Sequence, residues 1–184
     1  MKATGIIRRI DDLGRVVIPK DIRRTMRIHD GDPLEIYLED DSILFKKYSP
    51  LSTLWDVGMI TARSLKDNIG HKVLICDRDK FIAACGFGNN GSWTNRRISP
   101  ELDQIIIKRI AFDVDEDNVS ICNSTSTQDL ALYVKPIVSD DAMMEIYGAI
   151  IVVKNKEDEI VTEAIRQSTN VAANILTTMM DCNY

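Results

Sequence analysis

An α+β protein of two unequal domains is what this sequence predicts: a small β-rich module, then an α/β sandwich bracketed by helices. Three observations carry that expectation. Basic side chains concentrate at the start of an acidic chain. Short strands separated by turn residues fill the first fifty positions. Two long amphipathic stretches enclose a set of apolar strands in the remainder.

Residues 3–10 are β-branched and aliphatic and read as a strand. Asp11-Asp12-Leu13-Gly14 is a turn, with Gly14 able to take the positive φ that closes it. Residues 15–18 make a second strand, stopped by Pro19. That proline suits the first position of a short helix running to about Arg27. In it Ile22 and Met26 share one face, while Arg23, Arg24 and Arg27 share another. Asp30-Gly31-Asp32-Pro33 turns the chain into a half-buried strand, where Leu34, Ile36 and Leu38 alternate with Glu35, Tyr37 and Glu39. Asp40-Asp41-Ser42 returns it along residues 43–48. The unit is two hairpins joined by a short helix.

Charge is as uneven as the pattern. Residues 1–28 carry eight basic and three acidic side chains, residues 29–50 two and six, and the remaining 134 residues 13 and 19. A chain of formal net charge −5 thus holds one cationic stretch, and a cationic stretch built on β structure calls for a polyanion. So small a module buries too little surface alone, since domains near this size bury only about 60% of their unfolded surface. A two-fold dimer supplies the missing contact and sets two arginine clusters side by side. Double-stranded DNA, with phosphates repeating along a groove, is the partner this arrangement fits.

The run Thr4-Gly5-Ile6-Ile7-Arg8-Arg9-Ile10-Asp11-Asp12-Leu13-Gly14-Arg15-Val16-Val17-Ile18-Pro19-Lys20-Asp21-Ile22-Arg23-Arg24 resembles the swapped-hairpin DNA-binding domain of the AbrB-type transition-state regulators. Gly31-Asp32-Pro33-Leu34-Glu35-Ile36 and Lys46-Lys47-Tyr48 extend the match to about residue 50. The resemblance implies that residues 1–50 form a β-barrel-like dimer in which two chains interleave their hairpins. It implies DNA contacts from Arg8, Arg9, Arg15, Arg23 and Arg24, with Lys2 and Lys20 as further candidates. It also implies a regulator of sporulation genes, by activation or repression, working in the cytoplasm on the nucleoid. Ion pairing competes for some of these side chains, with Asp11, Asp30 and Asp32 as partners for Arg9 or Arg27. The short helix is too brief, and too close to Pro19, to read bases as a recognition helix. Phosphate contacts, groove shape and deformability would carry the binding.

Ser49-Pro50 marks a boundary and opens a helix over residues 51–70. Leu51, Leu54, Trp55, Met59, Ala62 and Leu65 recur there at helical spacing, a stripe that reads as core or oligomer contact. Residues 71–76 and 80–85 form a hairpin around Asp77-Arg78-Asp79, and Ser99-Pro100 opens a second helix. Residues 118–122, 130–138 and 145–154 are further strands, with Gly148 a bulge or a close approach. A last helix runs from Lys156 to about Asp181, its apolar face including Val161, Ile165, Ile175 and Met179. This order over residues 71–184 resembles a GAF-like regulatory domain, as in those regulators that carry a second domain. The resemblance implies an obligate dimer pairing further into a tetramer, with Leu51, Leu54, Trp55, Met59, Val161, Ile165, Ile175 and Met179 at the interface. It also allows an unknown small-molecule ligand.

Other chemistries find little support. No apolar run approaches the roughly 20 residues of a membrane helix, and the N-terminus lacks a signal-peptide core, so a cytoplasmic location is expected. Cys76, Cys85, Cys122 and Cys182 form no CxxC pair and sit at no ligand spacing from His29 or His71, which argues against a metal. Gly86-Phe87-Gly88-Asn89-Asn90-Gly91 has the spacing of a dinucleotide fingerprint, but no helix opens within it, so it reads as a loop and no cofactor is expected. Two alternatives to regulation find less support. Some GAF-like domains reduce sulfoxides with cysteines, yet nothing here marks a thiol as activated. Related small β-modules act as antitoxins, yet a folded domain stands where their inhibitory tail would be. The expectation is a non-enzymatic, DNA-binding regulator.

Overall fold

The computed structural model describes residues 5–48, 51, 55–114, 119–122, 129–142, 144–156 and 159–182. The chain divides into two units, Met1–Tyr48 and Ser49–Tyr184.

In the first unit residues 5–18 are extended around one tight turn. Gly14 takes φ +76°, its N–H donates to Asp11 O at 3.0 Å, and Asp11 N–H donates to Arg15 O at 3.1 Å. Among the described residues the two flanking segments are assigned to no strand, so over residues 5–18 the expected first hairpin is not a strand pair within one chain. A strand exists only where a neighbour takes its hydrogen bonds. Helix α1 spans Lys20–Thr25, shorter than expected. Pro19 precedes it in an extended conformation and its carbonyl accepts from Arg23 N–H, so the proline caps the helix instead of opening it. Arg27, at φ 51°, ends the turn that follows.

Strands β1 (Leu34–Glu39) and β2 (Ser42–Lys47) pair antiparallel, with Glu39 opposite Ser42 across the Asp40-Asp41 turn. The alternation is as expected, but its apolar face is not half-buried: Ile36 is 61% and Leu38 81% exposed. Ile7, Ile10, Leu13, Val17, Ile43 and Phe45 are exposed as well. Exposed aliphatic surface of this kind is what interaction sites present.

The second unit is an antiparallel five-stranded sheet with two helices on one face and one on the other, the sandwich expected of a GAF-like domain. Its elements are α2 (Trp55–Ile69), β3 (Lys72–Cys76), β4 (Phe81–Cys85), α3 (Pro100–Ile107), β5 (Phe112–Asp113), β6 (Ala131–Val138), β7 (Ile146–Val153) and α4 (Glu163–Asp181). The strand order is β4-β3-β7-β6-β5. Central β7 is buried along its whole length, which explains its unbroken apolar sequence. Val73 and Ile75 face a core shared with Ala62 and Leu65 of α2 and Leu176 of α4. Leu74 and Cys76 face the opposite core, with Leu102 and Ile106 of α3 and the aromatic rings of Phe81 and Trp93.

Local chemistry sets the ends of these elements. Ser99 Oγ accepts from Leu102 N–H at 3.0 Å, with Pro100 at the first helical position. Gly70, at φ +72°, closes α2 through a bond to Lys66 O. Asp77 Oδ1 accepts from Asp79 and Lys80 N–H and shapes the β3–β4 turn. Gly148 is a close approach: a Cβ there would stand 2.0 Å from Cys76 O and 2.8 Å from Leu51 Cδ1. Two expectations fail. Helix α4 begins at Glu163, because Thr162 caps it by accepting from Ile165 N–H and Glu159 is taken up in loop contacts. Among the described residues, 119–122 make only isolated bridges at Ser120 and Cys122.

Candidate nucleic-acid interface

The cationic side chains expected to meet DNA fall on two parts of the first unit, the extended segment with its turn and helix α1. Arg8 and Arg9 lie exposed on the segment, where the local backbone is extended and nothing covers it. Arg8 Nη1 donates to Ile7 O at 3.2 Å. Arg15 stands at the turn, its Nε 2.8 Å from Asp11 Oδ2. The Asp11 carboxyl is held below its ordinary value, first by the Arg15 backbone N–H and then by the Arg15 guanidinium, so the pair is charged. Of the pairings that could compete for these side chains, Asp11 with Arg9 or Arg27 does not form, and Asp11 takes Arg15. The i,i+4 spacing around a turn brings these two together.

On α1, Lys20 and Arg24 point to solvent. Arg23 is partly covered: Nη1 pairs with Asp30 Oδ1 at 2.6 Å, and its buried Nε has no hydrogen-bond partner among the described residues. Arg27 contributes through its backbone, since its carbonyl accepts from Lys47 Nζ at 2.8 Å. Lys2 lies outside the described residues. The hairpin adds a feature that residue-by-residue reading passes over. Tyr37 OH donates to Glu35 Oε2 at 2.5 Å while Lys46 Nζ sits 4.1 Å from the Tyr37 ring centroid. The signal was present in the i,i+2 spacing of Glu35 and Tyr37 on one strand face.

The residues expected at an oligomer interface separate into two groups. Leu51, Val161 and Ile165 are corrected: at 0%, 7% and 2% exposure they belong to the second unit's own core. Val161 and Ile165 pack with Leu132, Tyr133 and Val152. Periodicity marks a residue as apolar without saying whether its own chain or another covers it. Trp55, Ile175 and Met179 remain exposed and Met59 is half-buried, while Leu54 lies outside the described residues. Ile175 borders a groove of about 520 Å³ between α2 and α4, lined by Ile60, Thr61, Ser64, Asn68, Val171 and others.

The remaining candidate chemistry recedes. Gly86–Asn89 is a loop that leads into a 3-10 turn at Asn90–Ser92, and no α-helix opens within the motif. Cys76, Cys85 and Cys122 are buried. Burial, and secondarily Asp77, pushes the Cys76 thiol far above its ordinary value, the reverse of activation. No helix among the described residues is long and apolar enough to cross a membrane.

Comparison with known proteins bears on both units. The family model for the C-terminal region of stage V sporulation protein T, a transcription factor, matches residues 55–181. That for the MazE antidote-toxin recognition module, a bacterial antitoxin, matches residues 7–51. Stage V sporulation protein T of Bacillus subtilis (strain 168) is 41% identical over 183 residues, 98% of this chain and 99% of that protein. The transition state regulatory protein AbrB of the same organism is 49% identical over 74 residues, 40% of this chain and 77% of that protein. Among solved structures, residues 122 to 287 of a methyl-accepting chemotaxis protein superpose with a TM-score of 0.53 at 15% identity, covering 70% of this chain and 93% of that one. That last likeness is one of fold alone.

Proposed function

From the premise that the chain belongs to the stage V sporulation protein T family of transcription factors, we propose how it works as a DNA-binding regulator of sporulation genes. It is not an enzyme. Two first units pair through their uncovered aliphatic residues, and the paired unit lays Arg8, Arg9, Arg15, Arg23 and Arg24, with Lys2 and Lys20, along the phosphates of promoter DNA. The observation that carries this reading is the coincidence, on one small unit, of exposed arginines and an exposed apolar face. The second units join dimers into tetramers through the outer faces of α2 and α4, with Trp55, Met59, Ile175 and Met179 supplying the contact and Ile175 bordering the groove between the two helices. A tetramer holds two DNA-binding dimers, and linking them raises avidity without any new contact. The protein works in the cytoplasm, on the nucleoid.

Arg15→Ala and Arg23→Ala test the site. Each is expected to weaken binding to promoter fragments by about tenfold or more and to lessen its salt dependence. Sedimentation should show the oligomer unchanged. Unaltered affinity in both variants would overturn the assignment.

A further inference from the structure

Lys80 and Arg97 stand directly opposite one another on two paired segments beside the β3–β4 turn of the second unit. Phe81 N–H donates to Arg96 O at 2.9 Å and Ile98 N–H to Asp79 O at 3.0 Å, so the backbone bonds fall on either side of this pair. It is therefore a non-hydrogen-bonded cross-strand pair, the closer kind, with Cα atoms about 4.5 Å apart and both side chains on one face. Two cations in that register repel. Their neighbours do not relieve them. Asp77 is 4% exposed, and its Oδ1 accepts from the backbone N–H of Asp79 and Lys80. Asp79 lies one place along, and a strand sends successive side chains to opposite faces. Arg96 is taken by the Trp93 ring, its Cζ 5.0 Å from the centroid. Among the described residues no carboxylate lies within ion-pair distance of Lys80 or Arg97, although residues 51–184 carry 13 basic and 19 acidic side chains.

We propose that Lys80 and Arg97 form a binding site for the phosphate group of a small molecule, which seats between the two side chains and cancels their repulsion. The proposal is independent of the DNA-binding reading above. A guanidinium offers two parallel N–H donors and an ammonium a compact point charge, and a phosphate monoester has enough terminal oxygens to satisfy both. It carries a charge of about −1.5 to −2 at pH 7, where a carboxylate carries one. The surrounding surface selects the size of the ligand. A polyanion such as duplex DNA meets the field of a unit with six more acidic than basic side chains, 19 against 13. A single phosphate meets chiefly the two cations beside it, because exposed charges beyond about 10 Å are screened. Lys80 is half-buried and Arg97 exposed, so the pair is open to a ligand on its outer side.

Thermal melting of the full chain tests this, in chloride and in inorganic phosphate at equal ionic strength. Both tryptophans, Trp55 and Trp93, lie in the second unit, so their fluorescence follows that unit apart from the arginines of the first. In chloride, Lys80→Gln and Arg97→Gln should each melt a few degrees above wild type, because each removes one of two repelling charges. Arg97→Glu should melt higher still, since it sets a carboxylate opposite Lys80. Arg63→Gln is the control: it removes an exposed cation from α2 and should bring no gain. Phosphate strengthens burial in any protein, so the readout is the difference between variants. Wild type and Arg63→Gln should rise further in phosphate than Lys80→Gln, Arg97→Gln or Arg97→Glu. Melting of Lys80→Gln and Arg97→Gln at or below wild type in chloride overturns the repulsion. An equal rise in phosphate for all five proteins overturns the site. Protection by a duplex DNA fragment that depends on Arg97 and is absent with inorganic phosphate also overturns it, because the pair would then be a DNA contact.

Discussion

Asp11 and Arg15 are joined twice: the Arg15 Nε reaches Asp11 Oδ2 at 2.8 Å, and the Arg15 backbone N–H reaches Asp11 Oδ1, also at 2.8 Å. Asp11 Oδ1 takes the Leu13 N–H as well. One carboxylate thus shapes the turn and aims an arginine. Counting charges alone, Asp11→Ala should tighten DNA binding, because it removes a negative group from a cationic face. The geometry predicts the reverse. Without its acceptor the turn loosens and Arg15 loses its aim, so affinity falls in titrations at fixed salt. Asp11→Asn keeps one acceptor oxygen and should fall between the two.

Assembly through the α2–α4 groove makes a prediction of its own. Ile175 is 52% exposed and borders the groove, so a glutamate there leaves the chain's own core intact. Burying a carboxylate against apolar side chains costs several kcal/mol, which a helix interface cannot absorb. Ile175→Glu should sediment as dimers with a melting temperature close to wild type. It should bind single half-sites normally and lose the avidity seen on paired sites.

Gly148→Ala should be among the most damaging single changes in the second unit. Its new methyl group would stand 2.0 Å from the backbone oxygen of Cys76 and 2.8 Å from Leu51 Cδ1. Relief requires β3 and β7 to part, at a cost of about 3 kcal/mol or more. Gly88→Ala is the control. A Cβ at Gly88 meets nothing within 4 Å, so its melting temperature should stay near that of wild type.

Acid stability should depend on Glu159. Its Oε2 accepts from Asn155 N–H at 2.6 Å, and its Oε1 lies 2.9 Å from His71 Nε2. Partial burial pushes this carboxyl up, but the Asn155 N–H and the His71 side chain outweigh burial and hold it below its ordinary value of 4.5. A carboxyl lowered by folding contributes in full above its unfolded value and loses that contribution as pH falls through the folded one. The wild-type melting temperature should therefore fall more steeply below about pH 4.5 than that of Glu159→Gln. Parallel curves for the two proteins would count against this role.

Much of this molecule was legible before any coordinates. Gly70, Ser99-Pro100 and the Asp77 turn announce their elements because caps and turns depend on a few neighbouring residues. Gly148 marked itself as the one interruption in an otherwise apolar strand. The arginine cluster was visible as a charge anomaly, and its family followed from a long run of specific residues. The misread elements have different causes. Residues 5–18 are strand-like in composition, but a strand is a relation between two segments, and one chain supplies only the turn. The start of α4 was placed too early because apolar periodicity does not show that Thr162 is the cap and Glu159 a loop ligand.

By itself the sequence determined what is local or written in composition: a cationic β module, two long amphipathic helices flanking the strands in sequence, turns, caps, and a family. The tertiary structure alone decided which apolar residues the chain covers for itself. Leu51, Val161 and Ile165 have the same helical spacing as Ile175 and Met179, yet the first three enter the core and the last two face outward. Hydrophobicity is non-directional, so a leucine carries no mark of the surface it will meet. Its partner is settled only when β3, β7 and α4 are in place and Gly148 leaves the room that Leu51 fills.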